Sequence, residues 1–152
     1  MPIYLSLDQI QGNVTAAGYE GQIELMSFSH GLSHPQSATD GVSGKVSVAE
    51  ITVTKTTDRA SPRLIEAAVT GTVFAKAKIS FASTDRDMLV AYLVVDLGNA
   101  RVTSLATSSS GDRPGEQLSL ACEQIRWTFV EPGAREAVTF GWDLLNLKAL
   151  PS

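Results

Sequence analysis

One stretch of the chain, residues 50–74, passes from a strand pattern to a helix pattern and back, and it limits the folds that are possible. Isoleucine and valine alternate with threonine at its start, which predicts a strand. Ser61 and Pro62 then predict a helix start. A serine hydroxyl can accept a hydrogen bond from a free backbone N–H of the first turn. Proline has no backbone N–H, and at the first helical position that N–H would have no partner within the helix. Gly71 is typical of a left-handed helix end. We therefore expect a helix over about 62–70.

This is the one segment with a convincing helical pattern. Its apolar residues form a narrow stripe, which consists of Leu64, Ile65, Ala67 and Ala68. A helix this short cannot bury such a stripe without a partner, so the rest of the chain must supply a sheet on which it packs.

Eight other segments show alternation or a short apolar run and are predicted to be strands. They cover residues 3–7, 22–30, 45–55, 73–81, 88–97, 101–107, 117–130 and 138–144. With 152 residues the chain is expected to form one domain, 1–152. The predicted fold is mainly β: an antiparallel β-barrel or tight sandwich of about eight strands with one short flanking α-helix.

Burial can be predicted for two of these strands. In 73–81, alternation places Val73, Ala75, Ala77, Ile79 and Phe81 inside and makes the outer face basic through Lys76 and Lys78. The run 88–97 is almost continuously apolar, which indicates a strand buried on both faces.

Three strands change their apolar parity part of the way along. Residues 22–30, 45–55 and 117–130 each begin with apolar residues on one face and end with them on the other. Bulges at barrel corners explain this pattern. It is explained equally well if one end of the strand faces its own core and the other faces a neighbouring subunit, which would favour an oligomer. The residues support both explanations to the same degree.

Charge and composition argue against several classes of partner. The 16 acidic and 12 basic residues are well mixed and give a net charge of −4, so there is no basic stripe for nucleic acid. No segment approaches 18 uninterrupted apolar residues, and no membrane insertion is expected. The N-terminus lacks the pattern of a classical signal peptide. The single cysteine, Cys122, lies in a strand pattern and is expected to be a buried thiol.

The sequence predicts no catalytic, metal or cofactor site. His30 and His34 lack a third ligand nearby other than Asp40, and we expect a packed ring and a solvated loop residue instead. A hydrolase with Ser29, His34 and Asp40 as its triad is a weak alternative, because these residues lie in or beside a loop.

A monomeric β-barrel that binds a sugar or small ligand is a stronger alternative, with the glycine-rich loop 31–44 over its mouth. Trp127 and Trp142 fall on inward parity, however, which is more typical of core residues than of sugar platforms.

Four segments, in this order and spacing, resemble the haemolysin-coregulated protein (Hcp) family of type VI secretion systems. They are IYLSLDQIQGNVTAAGYEGQIEL, VSVAEITVTKTTDRASPRLIEAAVTG, SSSGDRPGEQLSL and FGWDL. The resemblance implies a barrel with one helix, six copies in a ring with a wide lumen, and rings stacked into the inner tube of a contractile injector. It implies a non-enzymatic protein that is cytoplasmic before firing, is then expelled through the system without a signal peptide, and carries effector proteins inside the ring.

This resemblance leads to predictions for individual residues. Ser27 and Ser29 are expected to face the lumen and contact cargo. The adjacent ring is expected to contact the loop 31–44, including Gly31, His34, Asp40, Gly41 and Gly44. The subunit boundary is expected near the turns that contain Asp58, Arg59, Asp112 and Arg113. Stacking should be weaker than ring closure, because a polar, glycine-rich loop buries little apolar surface.

Overall fold

The structure is a computed structural model and describes residues 1–34, 46–134 and 136–151. Within these ranges the chain forms twelve strands and one helix. The strands are β1 (Ile3–Leu7), β2 (Ile23–Leu25), β3 (Ser27–Ser29), β4 (Leu32–Ser33), β5 (Ser47–Val48), β6 (Ile51–Thr56), β7 (Phe74–Asp85), β8 (Met88–Ser108), β9 (Gly115–Ala121), β10 (Gln124–Val130), β11 (Ala137–Asp143) and β12 (Lys148–Ala149). The helix, α1, spans Ser61–Thr70. The predicted class, mainly β with one short helix, is confirmed.

The long strand β8 joins two antiparallel sheets. Its first half pairs with β7 and β10, which gives a first sheet in the order β12-β11-β10-β8-β7-β1-β2. Its second half pairs with β9, which gives a second sheet in the order β3-β6-β9-β8. The chain also passes from one sheet to the other between β2 and β3. These two connections close the sheets into a barrel.

The interior of the barrel is filled with apolar side chains from both sheets. Those with no measurable exposure include Leu5, Ile23, Val53, Ile79, Val95 and Leu118. The helix adds Leu64 and Ala67 to the same core and lies against β8. The predicted inward residues Ala77 and Ile79 belong to this core, while Lys76 and Lys78 are exposed as expected.

The helix ends as predicted but does not start as predicted. Gly71 adopts φ 68° and its N–H bonds to Ala67, a left-handed end. Ser61, however, is the first helical residue and does not cap the helix. Its hydroxyl oxygen accepts from the Asp58 N–H at 3.0 Å and from Lys55 Nζ at 3.1 Å. The serine hydroxyl is therefore engaged by Lys55 and the Asp58 N–H and is not used as a helix cap.

Each predicted change of parity falls at a break between two strands. The segment 22–30 divides at Met26, so that β2 pairs with β1 while β3 pairs with β6. The segment 45–55 divides between β5 and β6, and 117–130 divides between β9 and β10. Parity changes because the neighbouring strand changes. The count rises from eight predicted strands to twelve through these three divisions and two short unpredicted strands, β4 and β12, while the predicted strands 88–97 and 101–107 merge into β8. Met26 itself is exposed.

Two predictions of burial are wrong. Val73 and Ala75 are exposed, because β7 begins with Phe74 inside and the pairing is irregular opposite Asn99, whose φ is 52°. The run 88–97 is not buried on both faces, and Met88 is 67% exposed. Its first residues belong to a two-stranded arm, in which residues 83–90 of β7 and β8 pair only with each other among the described residues.

Candidate functional site

The outer face of the second sheet carries small hydroxyl and amide side chains. Ser29 pairs with Thr52, and Thr52 pairs with Ser119. In the next row Ser27 pairs with Thr54, and their hydroxyl oxygens are 2.5 Å apart. The positions that form this face, which we call the hydroxyl face, are Ser27, Ser29, Thr52, Thr54, Ser104, Gln117 and Ser119. These seven positions are uncharged, with Arg101 and Glu50 at the border of the face, and Ser27 and Ser29 are exposed. It offers hydrogen bonds without a charge preference.

The inner face of the same sheet holds a buried ionic cluster at the start of α1. Lys55 is fully buried, and its Nζ lies 2.8 Å from Glu116 Oε1 and 3.0 Å from Asp58 Oδ1. Burial tends to raise the pKa of Glu116, but hydrogen bonds that include those from Lys55 and Thr57 outweigh it and lower this pKa below its usual range. The cluster ties the turn before the helix to strands β6 and β9.

Sequence reasoning missed this cluster, although the pattern contains a signal for it. Lys55 follows Ile51 and Val53 on inward parity, and Glu116 precedes Leu118 on inward parity. A lysine and a glutamate at inward positions of two strands are expected to pair, since an unpaired buried charge is costly.

Strands β10 and β11 extend from the barrel as a wing, which we define as residues 124–143. On one face of the wing, the face that continues the barrel core, the side chains are Ile125, Trp127, Phe129, Val138, Phe140 and Trp142. His30, the residue after β3, stacks its ring on Trp127 at a centroid distance of 6.1 Å. Ile125 is buried in the core, and Trp127 and Trp142 pack partly against it. The far end of the wing is not covered by the described residues: Phe140 is 54% exposed and Val138 is 73% exposed. An uncovered apolar surface that continues a core is typical of a protein interface.

The two histidines lie as predicted. His30 is half-buried in the aromatic contact with Trp127, and burial lowers its pKa. His34 is exposed. The described residues contain no group of three or more His, Cys, Asp or Glu side chains placed to hold a metal ion. Asp40, Gly41 and Gly44 lie outside the described residues, so neither the stacking contact nor the triad alternative is tested at these positions.

The other predicted boundary residues lie in two separate turns. Asp58 is engaged within the chain, where its Oδ1 also accepts from the Ala60 N–H at 3.0 Å. The next residue, Arg59, is exposed, and its backbone N–H bonds to Asn13 at 2.8 Å. Asp112 and Arg113 are exposed in the turn between β8 and β9. The two turns adjoin each other: the N–H of Thr57, just before Asp58, donates to the carbonyl oxygen of Pro114, just after Arg113, at 2.9 Å.

The described part of the chain offers no enclosed site for a small ligand. The barrel interior is packed, and the cavity beside His30 and Cys122 measures about 60 Å³. An open groove of about 900 Å³ lies on the outside of the first sheet, lined by residues that include Lys78, Asp96 and Arg126. The described residues include no helix that is long and apolar enough to cross a membrane.

Comparison with known proteins agrees with this geometry. The family described as type VI secretion system effector, Hcp, matches residues 4–129. The protein hcp1 of Pseudomonas aeruginosa is 29% identical over 107 residues, and this match covers 66% of this chain and 66% of that protein.

Solved structures match over a larger share of the chain. A structure of a type six secretion system protein is 25% identical with a TM-score of 0.89, and the match covers 98% of this chain and 99% of that chain. The crystal structure of Hcp1 from Salmonella typhimurium is also 25% identical, has a TM-score of 0.84, and the match covers 98% of both chains. The chain therefore belongs to the Hcp family of type VI secretion proteins.

Proposed function

We propose that six copies of this chain close into a ring, and that such rings stack into the inner tube of a type VI secretion system. The observation that supports this most directly is that the apolar face of the core continues into the wing, where the described part of the chain does not cover it. A neighbouring copy that covers this face would complete the fold. In this role the protein is structural, in keeping with a family that is not a known enzyme family.

Free strand edges support ring closure as well. In the second sheet β3 pairs only with β6 among the described residues. At the other side of this sheet, the pairing of β8 with β7 reaches no further than Ala100, so residues 101–108 pair on one side with β9 alone. A sheet with a free edge on each side can be continued by identical copies, which removes both edges at once.

The same arrangement gives the ring a polar lumen. If the second sheets of all copies form the inner wall, then the hydroxyl face points to the axis, with Ser27 and Ser29 on it. Small neutral hydroxyls offer hydrogen bonds to many partners and favour none by charge. Such a wall suits the transport of varied effector proteins, which we propose as the cargo.

The proposal also includes the contact between adjacent rings and the boundary between subunits. Gly31 and His34 lead into the loop that we propose contacts the adjacent ring, and the turns of Asp58 and Asp112 lie near the subunit boundary. Proteins of this family are secreted through type VI systems. We propose that this chain waits in the cytoplasm and leaves with the expelled tube, without a signal peptide.

Electron microscopy with a gold label tests the ring and its inner wall together. Ser29→Cys in a Cys122→Ser background is labelled with a small gold–maleimide cluster and viewed in negative stain. The expected result is six-fold rings with gold in the central hole. The matched control is Lys78→Cys, on the outer face of the first sheet, which should place gold outside the hole. Monomers only, or gold from Ser29→Cys on the rim, would contradict the proposal.

A substitution tests the role in transport. Ser29→Gln keeps a neutral side chain but adds bulk to the hydroxyl face. We expect it to change co-purification of effectors from the same secretion system while rings remain intact by size-exclusion chromatography. Unchanged effector binding, measured against the wild-type ring, would argue against Ser29 as a cargo contact.

A further inference from the structure

Ring closure by identical copies requires two unlike surfaces on each copy, one for each neighbour. This requirement rests on the proposed ring. The large apolar residues that are exposed in the described chain indicate where these surfaces lie. Six of these thirteen residues lie at two places, three on the wing and three along the helix and just after it.

The first surface is the exposed part of the wing, which we call the wing patch. It consists of Phe129, Val138 and Phe140, whose exposed fractions are 42%, 73% and 54%. Trp127 and Trp142 support it from the core side, because Phe140 stacks on both rings at centroid distances of 6.3 Å. The patch is therefore held rigid by the aromatic ladder beneath it.

The second surface runs along α1 and just beyond its end, and we call it the helix stripe. It consists of Ile65, Val69 and Val73. Ile65 and Val69 are four residues apart and thus neighbours on one side of the helix. They lie beside the buried stripe of Leu64 and Ala67, so the helix has more apolar surface than its own barrel covers.

The two surfaces match in size. With 150–250 Å² for a whole aromatic side chain and somewhat less for valine and isoleucine, each exposes roughly 300 Å² of apolar area. A stable interface buries about 800 Å² on each partner, of which rather more than half is apolar. At each interface one copy contributes its wing patch and the other its helix stripe. Together with the sheet edges, these surfaces supply most of the apolar area that a stable interface buries on each partner.

We infer that the wing patch of each copy packs on the helix stripe of the next copy around the ring. The wing is a flat, rigid apolar sheet face, and the helix stripe is a convex row of branched side chains. Packing a helix onto a sheet face is how this chain already buries the other side of α1. The neighbour's wing thus encloses the helix from its second side.

Cross-linking between introduced cysteines tests this contact. Val69→Cys and Val138→Cys are combined in one chain, in a Cys122→Ser background, and the purified protein is treated with a short bismaleimide. If the wing patch of each copy contacts the helix stripe of the next copy around a closed ring, the cross-linked protein should run on a denaturing gel as a ladder of bands from one to six copies. The matched control replaces Val69→Cys with Arg63→Cys, an exposed position on another face of the same helix, and should give little product.

Mixing experiments decide the direction of the contact. Each single-cysteine variant alone should give no cross-linked dimer, whereas rings reassembled from a mixture of the two should give dimers and no larger product. Dimers from Val69→Cys alone would mean that the helix meets its own copy, and would overturn the inference.

The ring and this contact can fail separately. If the double variant elutes as a ring but forms no ladder, the pairing of these surfaces is wrong and the proposed function stands. If the Cys122→Ser parent elutes only as a monomer, both the ring and the pairing are wrong.

Discussion

Replacing Lys55 with methionine should lower the free energy of unfolding by about 3–5 kcal/mol, the usual cost of removing one partner of a buried ion pair. Lys55 Nζ is fully buried and lies 2.8 Å from Glu116 Oε1. Methionine has a similar length but no charge, so it fills the space, leaves the Glu116 carboxylate buried with only the hydroxyls of Thr57 and Ser61, and removes the cation from Asp58. The loss comes from this uncompensated charge rather than from a cavity.

The effect should depend on pH with a definite sign. In the wild type the pKa of Glu116 is lowered, so its contribution is present above its unfolded pKa and is lost as the pH falls through the folded pKa. In Lys55→Met the strongest of the hydrogen bonds that lower this pKa is gone, and burial raises it. The variant therefore loses stability as the pH rises. The difference between the two proteins should shrink as the pH falls below about 4.

Urea unfolding followed by tryptophan fluorescence measures this difference at a fixed protein concentration, since assembly adds to apparent stability. Lys78→Met removes an exposed lysine and should stay within about 0.5 kcal/mol of the wild type. Adding Glu116→Leu to Lys55→Met should restore most of the loss, because an apolar pair of similar size often replaces a buried ion pair at no net cost. A loss below about 1 kcal/mol for Lys55→Met, or no recovery in the double variant, would refute the reasoning.

Three further predictions concern other parts of the barrel. Gly12→Ala places a Cβ 2.3 Å from the Gln22 carbonyl oxygen and should cost about 1–3 kcal/mol in thermal unfolding, whereas Gly115→Ala, with no atom within 4 Å, should cost less. Burial raises the pKa of Cys122 to about 11, so a thiol reagent should label it much more slowly than free cysteine at pH 8, and equal rates would argue against burial. Burial lowers the pKa of His30, so its contribution to stability should fall as the pH drops below about 6.5, and a titration by NMR with an unshifted pKa would contradict this.

The fold was predictable to the extent that it rests on local pattern. Ile3–Leu7 and Ser61–Thr70 lie close to the predicted bounds, because alternation and the glycine at the helix end act within a few residues. Strand divisions were not predictable in this way. The break at Met26 depends on which strand lies alongside, β1 or β6, and single-residue alternation contains no information on the neighbour.

The candidate site was predictable only in part. Ser27 and Ser29 are exposed as their parity indicates, but the hydroxyl face needs strands distant in sequence to line up beside them. Trp127 and Trp142 of the wing were expected to be core residues, because they fall on the inward parity of their strands. Sequence alternation reports which face is apolar, and only the fold shows that the described residues leave part of that face uncovered.

The central claim is that this barrel is incomplete alone and is completed by identical copies around an axis. Native mass spectrometry of the purified chain at micromolar concentration tests it most directly. The account predicts a dominant species of six times 16.1 kDa, which dissociates when Val138 is replaced by aspartate. A single species of 16.1 kDa for the wild-type chain would contradict the account.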